Sequence, residues 1–166
     1  MRNSQRGICR VARVALGSAE SWKFPVSNND VAELLNQGND GWAKANGISF
    51  VRASADTVEV EWTVAKQHLQ PYGIVHGGVH CGVIETVCSI GTALAAAARG
   101  HKGGVVGLEN HTSFIRGVRE GTKLHAKATP FTRGRTTHVW EAEIRDAEDK
   151  LVATGRVRLL CTETFS

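Results

Sequence analysis

The sequence predicts an α+β domain in which one strongly curved antiparallel sheet wraps around a single long central helix. Three observations point there. Residues 79–98 are the richest apolar stretch, with Val79, Val83, Val87, Ile90 and Leu94 recurring at three- and four-residue spacing. Four strand-like runs divided by turn residues follow that stretch. Small residues (Gly82, Ser89, Gly91, Ala95) run through the helix, and it has no polar face, the pattern of a helix gripped on most sides.

Taken in order, residues 29–45 read as a helix. Asn29 or Asp30 can cap it, and Val31, Leu34, Leu35 and Trp42 approximate one apolar face, with Gly38 and Gly41 weakening its second half. Asn46-Gly47 makes a turn. The run Ile48 to Ala53 alternates loosely, and Val58 to Val64 strictly, with Val58, Val60, Trp62 and Val64 on one face. Residues 68–73 form a loop punctuated by Pro71 and Gly73. The long helix starts near Gly77 or Gly78 and closes at Arg99-Gly100, where a cation suits the negative helix end. The four strands then span about 104–116, 122–133, 136–146 and 151–161.

A chain of 166 residues fits one compact domain that buries roughly 70% of its unfolded surface. We expect residues 29–166 to form that domain and residues 1–28 to be a loosely ordered extension, with an Arg-rich transit peptide as the alternative. The net charge of +4 is carried by Arg2, Arg6, Arg10 and Arg13, because residues 1–19 hold no acid and the remainder balances sixteen bases against sixteen acids. A uniformly basic nucleic-acid-binding face is therefore not expected. No uninterrupted apolar run approaches the roughly 18 residues of a membrane span. Cys9, Cys81, Cys88 and Cys161 show no CxxC or metal-type spacing, so reduced thiols in a cytoplasmic protein are the expectation.

The chemistry concentrates at the long helix. From Val79 to Ala98 its one carboxylate is Glu85, and an ionised carboxylate in an apolar helix is costly to bury without a partner. Eight residues earlier, Gly77 presents a backbone N–H at the positive helix end, without a Cβ to keep a ligand away. A carboxylate and an oxyanion donor are the minimal set for attack on a carbonyl. Ser89, one turn after Glu85, can hydrogen-bond the carboxylate. The bland alternative is a structural carboxylate tied to Ser89 or to backbone. His76 and His80 have the spacing of a helix metal pair, but no third ligand is evident, so no metal is expected and His76 is read as fixing the loop through backbone hydrogen bonds. Cys81 and Cys88 read as packing residues.

Residue by residue, about 30–161 resembles the hotdog-fold acyl-CoA thioesterases, in the branch holding the phenylacetate-pathway enzymes and one type of 4-hydroxybenzoyl-CoA thioesterase. The resemblance rests on Gln70, Gly73, His76-Gly77-Gly78 and Glu85, and downstream on Gly134-Arg135 and Asp149-Lys150-Leu151-Val152-Ala153. Many relatives have Asn at the position of Gln70 and Asp at that of Glu85. The Gln/Glu pair resembles the hydroxybenzoyl type, which points to an aromatic acyl group or to a repacked pocket.

The resemblance implies a site between two subunits, with Gly77 from one and Glu85 from the other, hence a homodimer and a dimer of dimers. It implies that Gly77 N–H holds the thioester oxygen, that Gln70 orients the carbonyl or the water, and that Glu85 acts as general base or nucleophile, with no cofactor. The CoA tail is expected along the basic strands, near Gly78, Arg116, Arg133, Gly134, Arg135, Thr136 and Thr137. Two other readings fit the same fold: a non-catalytic acyl-CoA-binding module, and a hydratase or dehydratase acting on acyl thioesters.

Overall fold

The computed structural model describes residues 30–163. The N-terminal arginines, Cys9 and the proposed cap Asn29 lie outside that range. Two short helices, α1 (Ala32–Gly38) and α2 (Trp42–Ala45), precede strands β1 (Ser49–Ala53) and β2 (Val58–Thr63). A 3-10 turn at Lys66–His68 leads to the long helix α3 (Gly77–Ala97), followed by β3 (Gly104–Phe114), β4 (Lys123–Arg133), β5 (Thr137–Asp146) and β6 (Leu151–Thr162).

The expected helix over 29–45 is thus two helices. Gly41 adopts φ 70 and stands at the break, a conformation that interrupts a helix and suits glycine. Asp30 does serve the first helix: its Oδ1 accepts the N–H of Ala32 at 3.0 Å and that of Ala53 at 2.9 Å, tying α1 to β1. Leu34 and Trp42, expected on the buried face, are 42% and 44% exposed.

All six strands form one antiparallel sheet in the order β1-β2-β4-β5-β6-β3. Register shifts at Val51, Leu108 and Phe131 insert one extra residue each, and such bulges bend a strand and increase its twist. The sheet curls around α3, which contacts β2, β3, β4, β5 and β6. Trp140, Leu124, Ile144 and Leu159 fill the space between helix and sheet and are fully buried. Gly91 lets the helix approach: a Cβ there would stand 2.5 Å from the indole of Trp140.

One sequence expectation for α3 needs correction. By length and composition the helix could cross a membrane, yet it is packed inside the sheet as a core helix. As expected, it is gripped on most sides and not on all. Cys81, Gly82, Glu85, Thr86 and Ser89 are half-buried, leaving a stripe that the sheet of one chain does not cover.

Candidate active site

The two ends of the helix stripe differ in chemistry. At the start, His76 is the N-cap, with extended backbone (φ −66, ψ 133), and its Nδ1 accepts the N–H of Gly78 at 2.9 Å. The anticipated loop-fixing role of His76 is this bond. His76 N–H donates to His68 O at 2.8 Å, and Gln70 N–H to Ile74 O at 2.9 Å, so the loop bearing Gln70 folds back on the helix start. Gly77 N–H has no partner among the described residues and is a free donor at the positive end of a 21-residue helix. The ring of Phe114 lies against it: a Cβ at Gly77 would stand 2.8 Å from Phe114 Cζ. Only glycine admits that contact.

Two turns on, the Glu85 carboxylate is held from three directions. Ser89 Oγ donates to Oε1 at 3.3 Å and Asn110 Nδ2 to Oε2 at 3.1 Å. Gly107 supplies the third wall, since any Cβ there would collide with Oε1. Sequence reasoning found Ser89 but missed Asn110 and Gly107, which arrive from β3. A glycine inside a predicted strand was the available signal, because it often marks a close approach.

Glu85 and Gly77 of one chain are eight residues apart on the same helix, about 12 Å along its axis at 1.5 Å per residue. They cannot act on one carbonyl. Both nevertheless abut β3, Glu85 at Gly107 and Gly77 at Phe114, and β3 is an edge strand paired only with β6 among the described residues.

The basic residues expected to hold a CoA tail are not brought together. Arg116 Nη2 donates to the buried Asp146 at 2.6 Å and to Lys150 O at 3.2 Å. Its guanidinium holds the Asp146 carboxyl below the usual range, and it stands at the opposite end of β5 from Thr137. Arg133 Nη1 is bound to Asp56 Oδ1 at 2.8 Å and Ala55 O at 3.0 Å. Arg116 is thereby tied to a buried carboxylate, and Arg133 to the exposed turn between β1 and β2. Gly134, Arg135 and Thr136 are exposed, with Thr137 half-buried beside them, and Arg99 Nη1 anchors their turn through the carbonyls of Arg133 and Gly134.

Other titratable groups near the helix are tuned away from nucleophilic work. Burial, reinforced by Glu85, pushes the Cys88 thiol far up, so it stays protonated. Burial lowers His80 to about 4 and keeps it neutral. A groove of about 450 Å³ lies on the far face of the sheet, lined by His111, Lys127, Glu141, Glu143 and Arg156, and Glu85 is not part of its lining.

The family model described as Thioesterase superfamily matches residues 72–153, which span the helix and most of the sheet. The 1,4-dihydroxy-2-naphthoyl-CoA hydrolase of Escherichia coli is 30% identical over 110 residues, 66% of this chain and 78% of that protein. The chain belongs to the thioesterase superfamily. Among solved structures, this thioesterase is similar to a thioesterase from Haemophilus influenzae (31% identity, TM-score 0.68, 84% of this chain and 92% of that one). It is also similar to AziG of S. sahachiroi (40% identity, TM-score 0.67, 74% and 96%). The curved sheet around one helix is the hotdog fold, and the protein is a thioester hydrolase.

Proposed function

We propose that this thioesterase hydrolyses acyl-CoA thioesters at sites assembled from two copies of the chain. The observation that carries the reading is the separation of Gly77 from Glu85 along one helix, with both set against the edge strand β3. Antiparallel pairing of two β3 strands about a twofold axis at His111 would, with the extra residue Leu108, set Gly107 opposite the second copy's Phe114. The carboxylate of one copy would then face the free N–H of the other, twice per dimer. Leu108 and Phe114, 48% and 57% exposed, would be covered by the same pairing. A dimer of dimers remains part of the proposal.

The thioester oxygen accepts the Gly77 N–H, and the helix end stabilises the negative charge that grows there. Glu85 takes a proton from water, whose oxygen bonds to the acyl carbon. Collapse of the tetrahedral adduct breaks the C–S bond, and the CoA sulfur leaves with a proton. In the nucleophilic variant a Glu85 oxygen bonds to that carbon first, the C–S bond breaks and the CoA thiolate leaves to take up a proton, and water then hydrolyses the anhydride to the free acid and the Glu85 carboxylate. Gln70, on the loop beside Gly77, orients the carbonyl or the water. Gly78, Gly134, Arg135, Thr136 and Thr137 are the surfaces left to meet the CoA tail.

An aromatic acyl group suits the site. The Trp42 indole lies on Gly82, one turn before Glu85, and the Phe114 ring lies on Gly77, so both half-sites are flanked by aromatic surface. The E. coli relative is named for an aromatic substrate. With Cys81, Cys88 and Cys161 as free thiols, we place the protein in the reducing cytoplasm.

Co-expression of two inactive variants tests the shared site. Glu85→Gln should lower free-thiol release from benzoyl-CoA by roughly 10²–10⁴-fold. Gly77→Pro removes the donor at a helix position that accepts proline, after a residue already in the extended conformation proline requires; its ring displaces the exposed Phe114 side chain, so a thermal melt must show the fold intact. Random pairing gives half mixed dimers, each with one intact site, so about one quarter of wild-type activity should return. No recovery would place each site within one chain. No thiol release from aromatic, short or long acyl-CoAs by wild type would favour the binding module.

A further inference from the structure

We propose that Asn110 is the positioning residue for Glu85, and that Thr112 sets its orientation. This rests on the hydrolytic reading above. Asn110 Nδ2 donates to Glu85 Oε2 at 3.1 Å and to Cys81 O at 3.2 Å, while Thr112 Oγ1 donates to Asn110 Oδ1 at 2.7 Å. The backbone carbonyl of Cys81 can only accept, so the amide must turn its NH₂ group toward the helix. The Thr112 hydroxyl selects the same orientation from the other end. Both amide protons and the amide oxygen are thereby engaged, and the side chain has one orientation rather than two. The Glu85 carboxylate is held between this amide on β3 and Ser89 on its own helix.

The bulge at Leu108 makes the arrangement possible. In a regular strand, residues an odd number apart point to opposite faces. Gly107 faces the helix, so Asn110 in a regular β3 would face away from it. The extra residue reverses the phase between Gly107 and Glu109. Asn110, Thr112 and Phe114 then point to α3, while Glu109 pairs with Arg158 and His111 lines the groove on the outer face. The bulge thus delivers a bare backbone and a hydrogen-bond donor to one carboxylate from the same strand.

The orientation of a carboxylate matters for proton abstraction or attack, because misplacement by about 1 Å can cost on the order of 10²-fold. Asn110→Leu should lower kcat for benzoyl-CoA by roughly 10–100-fold with KM within about twofold. Thr112→Val, nearly isosteric, should lower kcat by roughly 3–10-fold and add nothing in the Asn110→Leu background. Neither should change the residual rate of Glu85→Gln. A loss confined to KM, an equal loss in the Glu85→Gln background, or full additivity of the two variants would overturn the proposal. The side-chain amide protons of Asn110, followed by NMR, read the clamp without turnover. Glu85→Ala should move one of the two resonances, and Thr112→Val should broaden both. Unmoved resonances overturn the clamp even in an active enzyme. Wild type without thiol release, but with the expected NMR response, would sink the hydrolytic reading and leave the clamp standing.

Discussion

A single methyl group at Gly107 separates a carboxylate that must be placed from one that merely needs to be present. A Cβ there would stand 3.2 Å from the carboxyl carbon of Glu85 and 3.6 Å from Oε2, and would overlap Oε1 most severely. Ordinary contact begins at 3.4 Å, so Oε1 must retreat by about 1 Å. The retreating atom is the end of a flexible side chain, and Gly107 is not among the positive-φ glycines, so the backbone accepts alanine. The fold should therefore lose less than about 1 kcal/mol. A displacement of that size costs roughly 10²-fold in rate, about 2.7 kcal/mol of barrier. Gly107→Ala should accordingly melt within a few degrees of wild type while kcat/KM for benzoyl-CoA falls by about two orders of magnitude. Thiol release gives the rate, and a thermal melt by circular dichroism gives the stability. Full activity at unchanged stability would refute the reasoning, because the reaction would then tolerate a displaced carboxylate. A collapse of the melting temperature would instead make Gly107 a folding requirement.

The pairing of Arg116 predicts that Arg116→Ala lowers the melting temperature and leaves KM for acyl-CoA unchanged, while Arg135→Ala raises KM with the fold intact. Steady-state kinetics on both proteins decide this, and the reverse pattern would restore Arg116 as a ligand contact. His80 predicts a pH dependence. Its folded value of about 4 lies below the unfolded 6.5, so the unfolded chain binds more protons between them and stability falls as pH drops through that window. Between pH 7 and 4.5 this amounts to roughly 2 kcal/mol. His68 and His138, also lowered by burial, act in the same direction. Urea midpoints at the two pH values should differ less for His80→Asn than for wild type, and equal differences would contradict the assignment. Gly91→Ala drives a Cβ into the fully buried Trp140 and should cost about 1–3 kcal/mol in urea unfolding despite alanine's better helix propensity. A stabilised variant would show that the indole can move aside.

Much of the fold was legible because its signals are local. Apolar spacing marked α3 to within a residue or two at its start, and the turn residues between them marked off the four later strands. The break between α1 and α2 was only hinted at by Gly38 and Gly41, since periodicity continues across a short interruption. Leu34 looked like a core residue by spacing, but a seven-residue helix lying on the edge of a sheet buries a narrower stripe than a long one.

The sequence by itself determined the reactive inventory: a lone carboxylate in an apolar helix, a glycine at that helix's positive end, a loop-fixing histidine just before it, and Ser89 one turn from Glu85. These are relations within a few residues, and helix geometry converts them directly into distances. Only the tertiary structure decided which groups from elsewhere reach them. Arg116 and Arg133 looked like ligands for phosphate until Asp146 and Asp56, distant in sequence, claimed them. Unbroken strand alternation would turn Asn110 away from the helix, and a bulge visible only in the pairing of β3 with β6 shifts that count by one. The same geometry sets Gly77 and Glu85 too far apart to meet within a chain, because 1.5 Å of rise per residue leaves no freedom to bring them closer.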